Sequence, residues 1–215
     1  MNKDFIKLSL LFFCVGLLFV AVGVRADGMF RNTNYHLALE SDDLTNKQGE
    51  ILPKDTPIKD KYGNVLVYVT HKFYKNLKLE GSGKLVDGRV LNYAGRVNGE
   101  VRFHFTMHPW GRAAGNCPLI PWKTLAVDPS QIPLGSTVMV AETKGMRLPD
   151  GSIHDGIWYA KDTGGAILKD RIDLFIANIR DRKYLTAHGI THLKPLRVTV
   201  LELPANDSCI YKKPQ

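Results

Sequence analysis

The chain has 215 residues, 44% of them hydrophobic and 23% charged, and its formal charge is +8. This apolar content suffices for one core, and the absence of internal repeats, low-complexity tracts and long linkers excludes a repeat protein or a string of modules. The positive charge favours association with anionic polymers such as bacterial cell walls, lipopolysaccharide or membrane surfaces. Nucleic acid is not predicted as a partner, because the sequence contains no RNA- or DNA-binding motif.

The first 26 residues have the composition of a secretory signal peptide. Lys3 and Lys7 precede an apolar stretch over residues 8–24, and a small-residue cleavage pattern ends at Ala26. The stretch is shorter than the ~20 residues that span a bilayer comfortably, although an uncleaved anchor is the alternative. We therefore expect an exported protein, periplasmic or secreted, that is cleaved near Ala26. Removal of residues 1–26 would lower the formal charge to +6.

Two cysteines remain after this cleavage, Cys117 and Cys209. An even number of cysteines in an oxidising compartment favours a disulfide between them. The alternative is two buried free thiols.

The remaining sequence predicts an all-β protein with little helix. Residues 27–72 are polar and turn-rich with one strong strand at 64–70, which indicates a small N-terminal β extension. Residues 73–203 contain short alternating runs separated by Gly, Asp and Pro, and a single helix is predicted at 178–187, before Gly189. Six or seven strands favour a closed, antiparallel or mixed barrel, followed by a tail at 204–215. The runs are LKLEGSG, RVLNYAG, EVRFHFTM, STVMVAE, IWYAKD, RIDLFI and LRVTVLEL.

Three aspartates each stand beside a β-like run: Asp128 in LAVDPSQIPLG, and Asp162 and Asp173 in WYAKDTGGAILKDRIDLF. Gly164 and Gly165 permit a sharp turn that would bring Asp173 back beside Asp162. Carboxylates held together in a groove repel each other, so one of them tends to keep its proton near neutral pH, as a general acid must. The pattern therefore predicts an active site.

Each aspartate also has a structural interpretation. Asp128, before Pro129, and Asp162, before a glycine pair, are both typical of turn-forming residues. Asp173 lies among apolar neighbours, where a carboxylate is unfavourable unless it is paired or functional. Three acids are able to hold a divalent cation, but the spacing of an EF-hand is missing, so no metal and no other cofactor is predicted.

The segments VDPSQIPLGSTVMV and KDTGGAILKDRIDLF resemble the 3D domain family, which is named for three aspartates and built on a double-psi β-barrel. The upstream segment LEGSGKLVDGRVLNYAGRVNG resembles the Gly-Ser-Gly and Tyr-Ala-Gly region of the membrane-bound lytic transglycosylase A family. The resemblance covers residues 73–203. It implies a six-stranded double-psi barrel and an enzyme that cleaves peptidoglycan between MurNAc and GlcNAc without water, leaving 1,6-anhydro ends. Asp173 matches the catalytic aspartate of that family.

One carboxyl group is enough for this chemistry, because the 6-hydroxyl of the sugar takes the place of water. Asp173 would first protonate the leaving oxygen and then accept the proton of the attacking hydroxyl. Asp162 and Asp128 are predicted to support it by shaping the pocket and its hydrogen bonds.

Five further residues are predicted to contact the glycan, and the protein is expected to act as a monomer. Glu80 and Ser82 belong to the Gly-Ser-Gly region, where Glu80 is alternatively a surface residue. Gly164 and Gly165 form the turn, and Trp110 offers an aromatic face for a sugar ring.

The sequence departs from the family at Leu168-Lys169-Asp170, where the family usually has Lys followed by Gly. A side chain in place of that glycine would crowd the groove, which favours an alternative function. This alternative is a non-catalytic, expansin-like module that binds wall glycan. A surface protein acting on a host cell is a third interpretation.

Overall fold

The computed structural model describes residues 27–212, so the predicted signal peptide lies outside the described residues. The two α-helices are α1 (His71–Glu80) and α2 (Arg182–Ala187). No helix in this part of the chain combines the length and the hydropathy needed to cross a membrane. The strands are β1 (Asp27–Tyr35), β2 (Ala38–Leu39), β3 (Thr56–Lys59), β4 (Val65–Val69), β5 (Ser82–Lys84), β6 (Val90–Val97), β7 (Glu100–Thr106), β8 (Thr124–Ala126), β9 (Thr137–Val140), β10 (Ile157–Asp162), β11 (Arg171–Phe175) and β12 (Pro195–Glu202).

Six strands close a barrel in the order β1, β11, β8, β10, β9, β12. The pairs β1–β11 and β8–β10 are parallel, and the other neighbours are antiparallel. Trp158, Leu125 and Ile172 are fully buried in its core. The prediction of a mostly β protein is confirmed, and the ring of six strands is mixed in direction.

A second unit packs beside the barrel. It consists of a four-stranded sheet in the order β2, β5, β6, β7, the hairpin β3–β4 and helix α1. Phe73 and Leu77 of α1 and Phe103 of β7 are fully buried in a separate core. Two of the three hydrophobic clusters within residues 27–212 are the cores of these two units, and the groove described below lies between them.

The set of strands that forms the barrel differs from the one predicted from the sequence. Strand β1 belongs to the barrel, between β11 and β12, whereas β5, β6 and β7 belong to the second unit. Strand β1 buries the polar Asn32, whose side-chain NH2 donates to the carbonyls of Thr191 and Lys194 at 2.9 and 2.7 Å. A strand whose inward side chain is polar lacks the apolar alternation used to recognise strands.

The run LKLEGSG was predicted as a strand, and this was wrong for its first half, which is the end of helix α1. Thr70 caps the helix by accepting a hydrogen bond from Phe73 N at 3.1 Å. Gly81 ends it with a left-handed conformation, φ 77°. The buried Phe73 and Leu77 are one helical turn apart, which is the spacing of an amphipathic helix.

The predicted helix at 178–187 is present as a 3-10 turn at Ile179–Asp181 that leads into α2. The predicted disulfide is also present, between Cys117 and Cys209. It joins the loop after β7 to the segment after β12.

Candidate active site

A cavity of about 570 Å³ lies between the second unit and the barrel. Glu80, Ser82 and Asn92 line it from the second unit, and Asp162 and Asp173 line it from the barrel. A neighbouring cavity of about 510 Å³ shares Glu80 and Asp173 with it. Together the two form a groove that continues on both sides of Asp173.

The sheet register explains why the two barrel aspartates meet. Strand β8 lies between β10 and β11, and its Ala126 pairs with Asp162 on one side and with Asp173 on the other. The two carboxyl groups therefore stand at the same level of the barrel. Gly164 and Gly165, in the turn that follows β10, also line the groove.

Asp162 is held by two hydrogen bonds. Its Oδ2 accepts from Tyr35 Oη at 2.7 Å, and its Oδ1 accepts from Thr163 N at 2.9 Å. Burial raises the pKa of Asp162 to about 6, and the nearby charge of Asp173 acts in the same direction, while both hydrogen bonds oppose the shift. Asp162 thus titrates close to neutral pH.

Asp173 has fewer partners. Its Oδ1 is buried and has no hydrogen-bond partner among the described residues. Burial raises the pKa of Asp173 to about 6, and the Thr33 hydroxyl and the Arg171 charge oppose the shift. A carboxyl group with a free oxygen and a pKa near 6 is able to give up and take back a proton near neutral pH.

Glu80 stands at the end of helix α1, on the opposite wall. Its Oε2 accepts a hydrogen bond from His36 N at 2.9 Å. Burial raises the pKa of Glu80 to about 7, and Asp173 adds to this, whereas the His36 bond and Arg182 lower it. The groove therefore holds three carboxyl groups that are partly protonated near neutral pH.

Tyr35, at the end of β1, was missed by the sequence analysis. Burial and the adjacent carboxylates raise its pKa well above the usual range, so its hydroxyl remains a donor to Asp162. No motif in the sequence surrounds it, and only its position in the barrel identifies it.

Ser82 is 3% exposed, so its side chain is part of the groove wall and is largely inaccessible from the groove. Its hydroxyl donates a hydrogen bond to Asn92 Oδ1 at 2.8 Å. The same Asn92 oxygen accepts a second hydrogen bond from Arg112 N at 2.6 Å. These bonds connect β5, β6 and the loop after β7. Asn92 and Arg112 were not predicted as site residues.

Asp128 and Trp110 do not line the groove. Asp128 accepts hydrogen bonds from Ser130 N at 2.9 Å and Lys169 N at 2.7 Å, which lower its pKa and keep it ionised. Asp128 thus joins two loops through their backbone. Trp110 is 38% exposed in the loop after β7.

The departure at Leu168-Lys169-Asp170 also lies outside the groove. Lys169 has a left-handed backbone, φ 57°, which explains why a glycine suits this position. Its side chain and that of Leu168 are exposed, and Asp170 pairs with Arg31 at 2.9 Å. These side chains therefore do not crowd the groove. Within residues 27–212 no group of three His, Cys, Asp or Glu side chains is arranged to hold a metal ion.

Comparison with known proteins agrees with this geometry. Residues 123–191 match the family model of the 3D domain. The search of curated proteins found no match.

Several solved structures are similar to this chain. The chain is similar to Escherichia coli MltA with bound chitohexaose, with 16% identity and a TM-score of 0.56 over 82% of this chain and 73% of that one. It also matches a membrane-bound lytic murein transglycosylase from Agrobacterium tumefaciens, with 14% identity and a TM-score of 0.48 over 81% and 67% of the two chains. The lytic transglycosylase LtgG of Burkholderia pseudomallei matches with 19% identity and a TM-score of 0.42 over 82% and 73%. The protein therefore has an MltA-like fold, and its residues 123–191 match the 3D domain model.

Proposed function

We propose that this protein is an exported lytic transglycosylase that cleaves peptidoglycan strands between MurNAc and GlcNAc and leaves 1,6-anhydro ends. One observation carries the proposal: Asp173 faces a long groove with a raised pKa and an oxygen that has no partner. The structure of MltA with bound chitohexaose supports a glycan in such a groove. Export follows from the sequence pattern of residues 1–26.

In the proposed mechanism the protonated Asp173 donates its proton to the glycosidic oxygen as the bond to the anomeric carbon breaks. The 6-hydroxyl of the same sugar then attacks the oxocarbenium-like carbon, and the ionised Asp173 accepts the hydroxyl proton. Asp173 returns to its starting state, no water is consumed, and the product carries an internal ether bond.

We assign Asp162 the role of an ionised carboxylate beside the protonated Asp173. Two donors stabilise the anionic form of Asp162, whereas Asp173 Oδ1 has none, and this difference favours an ionised Asp162 beside a protonated Asp173. An anion at this level of the barrel would also stabilise the positive charge that develops on the sugar. Asp128 is assigned a supporting part through the loops that it joins.

We also assign the barrel the double-psi topology. Two parallel pairs, β1–β11 and β8–β10, are set among antiparallel neighbours, which supports an arrangement of two interlocked crossings.

The test compares the mature protein with its Asp173→Asn and Asp207→Asn variants on purified peptidoglycan. Asp207 is exposed and does not line the groove, so its variant is a control for the loss of one carboxylate. Mass spectrometry of the soluble fraction should detect anhydro-muropeptides from the wild type and the control. The Asp173→Asn variant should release at least about 100-fold less, because it lacks the proton donor.

Equal activity of Asp173→Asn and wild type would refute the catalytic assignment. If no variant releases product but all sediment with the wall, the protein is a non-catalytic glycan-binding module.

A further inference from the structure

The groove continues away from Asp173 into a cavity of about 580 Å³ that shares Lys78, Leu79 and Arg96 with the central cavity. Lys75 lines this extension, and Arg112 lines the central cavity. We call the surface formed by Lys75, Lys78, Arg96 and Arg112 the basic arm.

The four cations of the basic arm have no ion-pair partner within residues 27–212. Lys78 Nζ lies 4.5 Å from the centre of the Tyr74 ring, and Arg96 donates to the carbonyl of Gly99 at 3.0 Å. Neither contact neutralises a charge. The acidic residue of the extension, Glu100, is already paired with Arg102 at 2.7 Å.

Among the four cations, Arg112 gives the strongest indication of an anionic ligand, because its side chain is partly buried. A guanidinium that is partly removed from water without a carboxylate partner is unfavourable, and an anionic ligand would relieve this cost. Lys78, Arg96 and Arg112 line one cavity, where their like charges repel each other. The arrangement therefore fits a ligand that brings negative charge.

We propose that the basic arm binds the carboxylates carried by muramic acid, and so selects anionic muramic acid glycans over neutral glycans of N-acetylglucosamine. The inference rests on the proposed function for its glycan substrate. A sugar backbone is uncharged and does not require four cations. The carboxylate is either the free lactyl group of muramic acid or an acidic group of the peptide attached to it.

Three cations of the basic arm, Lys78, Arg96 and Arg112, line the central cavity beside its acids, and Lys75 extends the positive charge into the neighbouring cavity. A glycan bound at Asp173 would therefore carry the carboxylates of neighbouring sugars along the basic arm.

The experiment measures binding by isothermal titration calorimetry with the full mature chain carrying Asp173→Asn, so that no ligand is cleaved. The test variant adds Lys75→Gln and Lys78→Gln, and the matched control adds Lys47→Gln and Lys144→Gln, which are exposed and lie outside the groove. The ligands are chitohexaose, peptide-free glycan strands with lactyl carboxylates, and strands that carry peptides.

The test variant should bind at least one anionic ligand about tenfold more weakly than the control, with an unchanged Kd for chitohexaose. Weaker binding of the peptide-free strands alone assigns the lactyl carboxylate, and weaker binding of the peptide-bearing strands alone assigns the peptide. A Kd equal to that of the control for both anionic ligands would overturn the proposal. The result does not depend on cleavage, so charge-selective binding by these variants, together with no anhydro products from the wild type, would refute the proposed function and leave the inference standing.

Discussion

Asp162 and Asp173 flank the same residue of β8 and have similar pKa values, but their surroundings differ. Asp162 is bonded to Tyr35 and Thr163, whereas an oxygen of Asp173 has no partner. Both side chains are half-buried in the groove, and burial is the main cause of both pKa shifts. A buried carboxyl group of this kind lowers the stability of the fold at neutral pH.

Replacing Asp162 with Asn should therefore stabilise the protein at neutral pH. The pKa of Asp162 is about 6 in the folded protein, above its usual value of 3.8. Between these values the folded state holds a proton that the unfolded state has lost, so stability falls as the pH rises through this window and stays low above it. Asp162→Asn removes this loss and should raise the free energy of unfolding by about 2 kcal/mol at pH 7.5, with little gain at pH 4. Urea unfolding at the two pH values measures the difference.

Asp207→Asn is the control, because an exposed carboxylate should give the same small difference at both pH values. If Asp162→Asn lowers stability equally at pH 4 and pH 7.5, its bonds to Tyr35 and Thr163 contribute more than burial costs.

At the scale of residues, the acids of the groove were predictable from the sequence, whereas Tyr35 and Arg112 were not. Asp173 was recognisable because its strand is otherwise apolar, and a carboxylate in such a strand needs a reason. Asp128 was predicted from its place beside a β-like run, before Pro129, and in the structure it bonds to loop backbone. Tyr35 and Arg112 carry no local signal, since they reach the groove only through the pairing of β1 and the path of the loop after β7.

At the scale of elements, the loop after β7 reaches the groove wall at Gly111. Its φ of 98° is left-handed, and an added Cβ would overlap the Ser82 side chain and lie 3.0 Å from Asn92 Oδ1. Ser82 and Asn92 line the groove, so this close approach fixes the loop against β5 and β6. Only glycine satisfies both the conformation and the space.

Gly111→Ala should reduce both stability and glycan binding. Gly145→Ala is the matched control, because Gly145 has a similar φ of 84° and no atom within 4 Å of an added Cβ. The control should lose about 1 kcal/mol from backbone strain alone. Gly111→Ala should lose a further ~1–3 kcal/mol from overpacking and bind chitohexaose more weakly. Equal unfolding midpoints for the two variants would show that the loop moves aside without cost.

Most strands with an apolar inward face were predictable from the sequence, whereas strand β1 and helix α1 were not. Strand β1 hides Asn32 in the barrel because backbone carbonyls of a distant segment accept its hydrogen bonds. Helix α1 shows its helical period only at Phe73 and Leu77, while LKLE also alternates like a strand. In both cases tertiary contacts decide the structure, and they are not local in sequence.

At the scale of the whole molecule, the groove belongs to neither core. The acids of the barrel and the residues of the second unit meet only when both units are folded and held together. The C-terminal segment contributes to this by returning to the loop after β7. There Asn116 N donates to the Cys209 carbonyl at 3.0 Å, and a Cβ on Gly115 would overlap the Ile210 carbonyl.

The Cys117–Cys209 bond should therefore stabilise the fold and the groove together. It spans 92 residues, and closing a loop of this length removes about 4–5 kcal/mol of chain entropy from the unfolded state in the entropy model. Replacing both cysteines with Ala should lower the free energy of unfolding by up to about this amount and weaken chitohexaose binding, because Arg112 and Gly115 line the groove beside the bond. Urea unfolding and calorimetry, each with and without reductant, measure the two effects. The reductant should shift the wild type towards the double variant and leave the variant unchanged. Loss of stability with unchanged binding would mean that the loop holds its position through the backbone contacts at Asn116 and Gly115 alone.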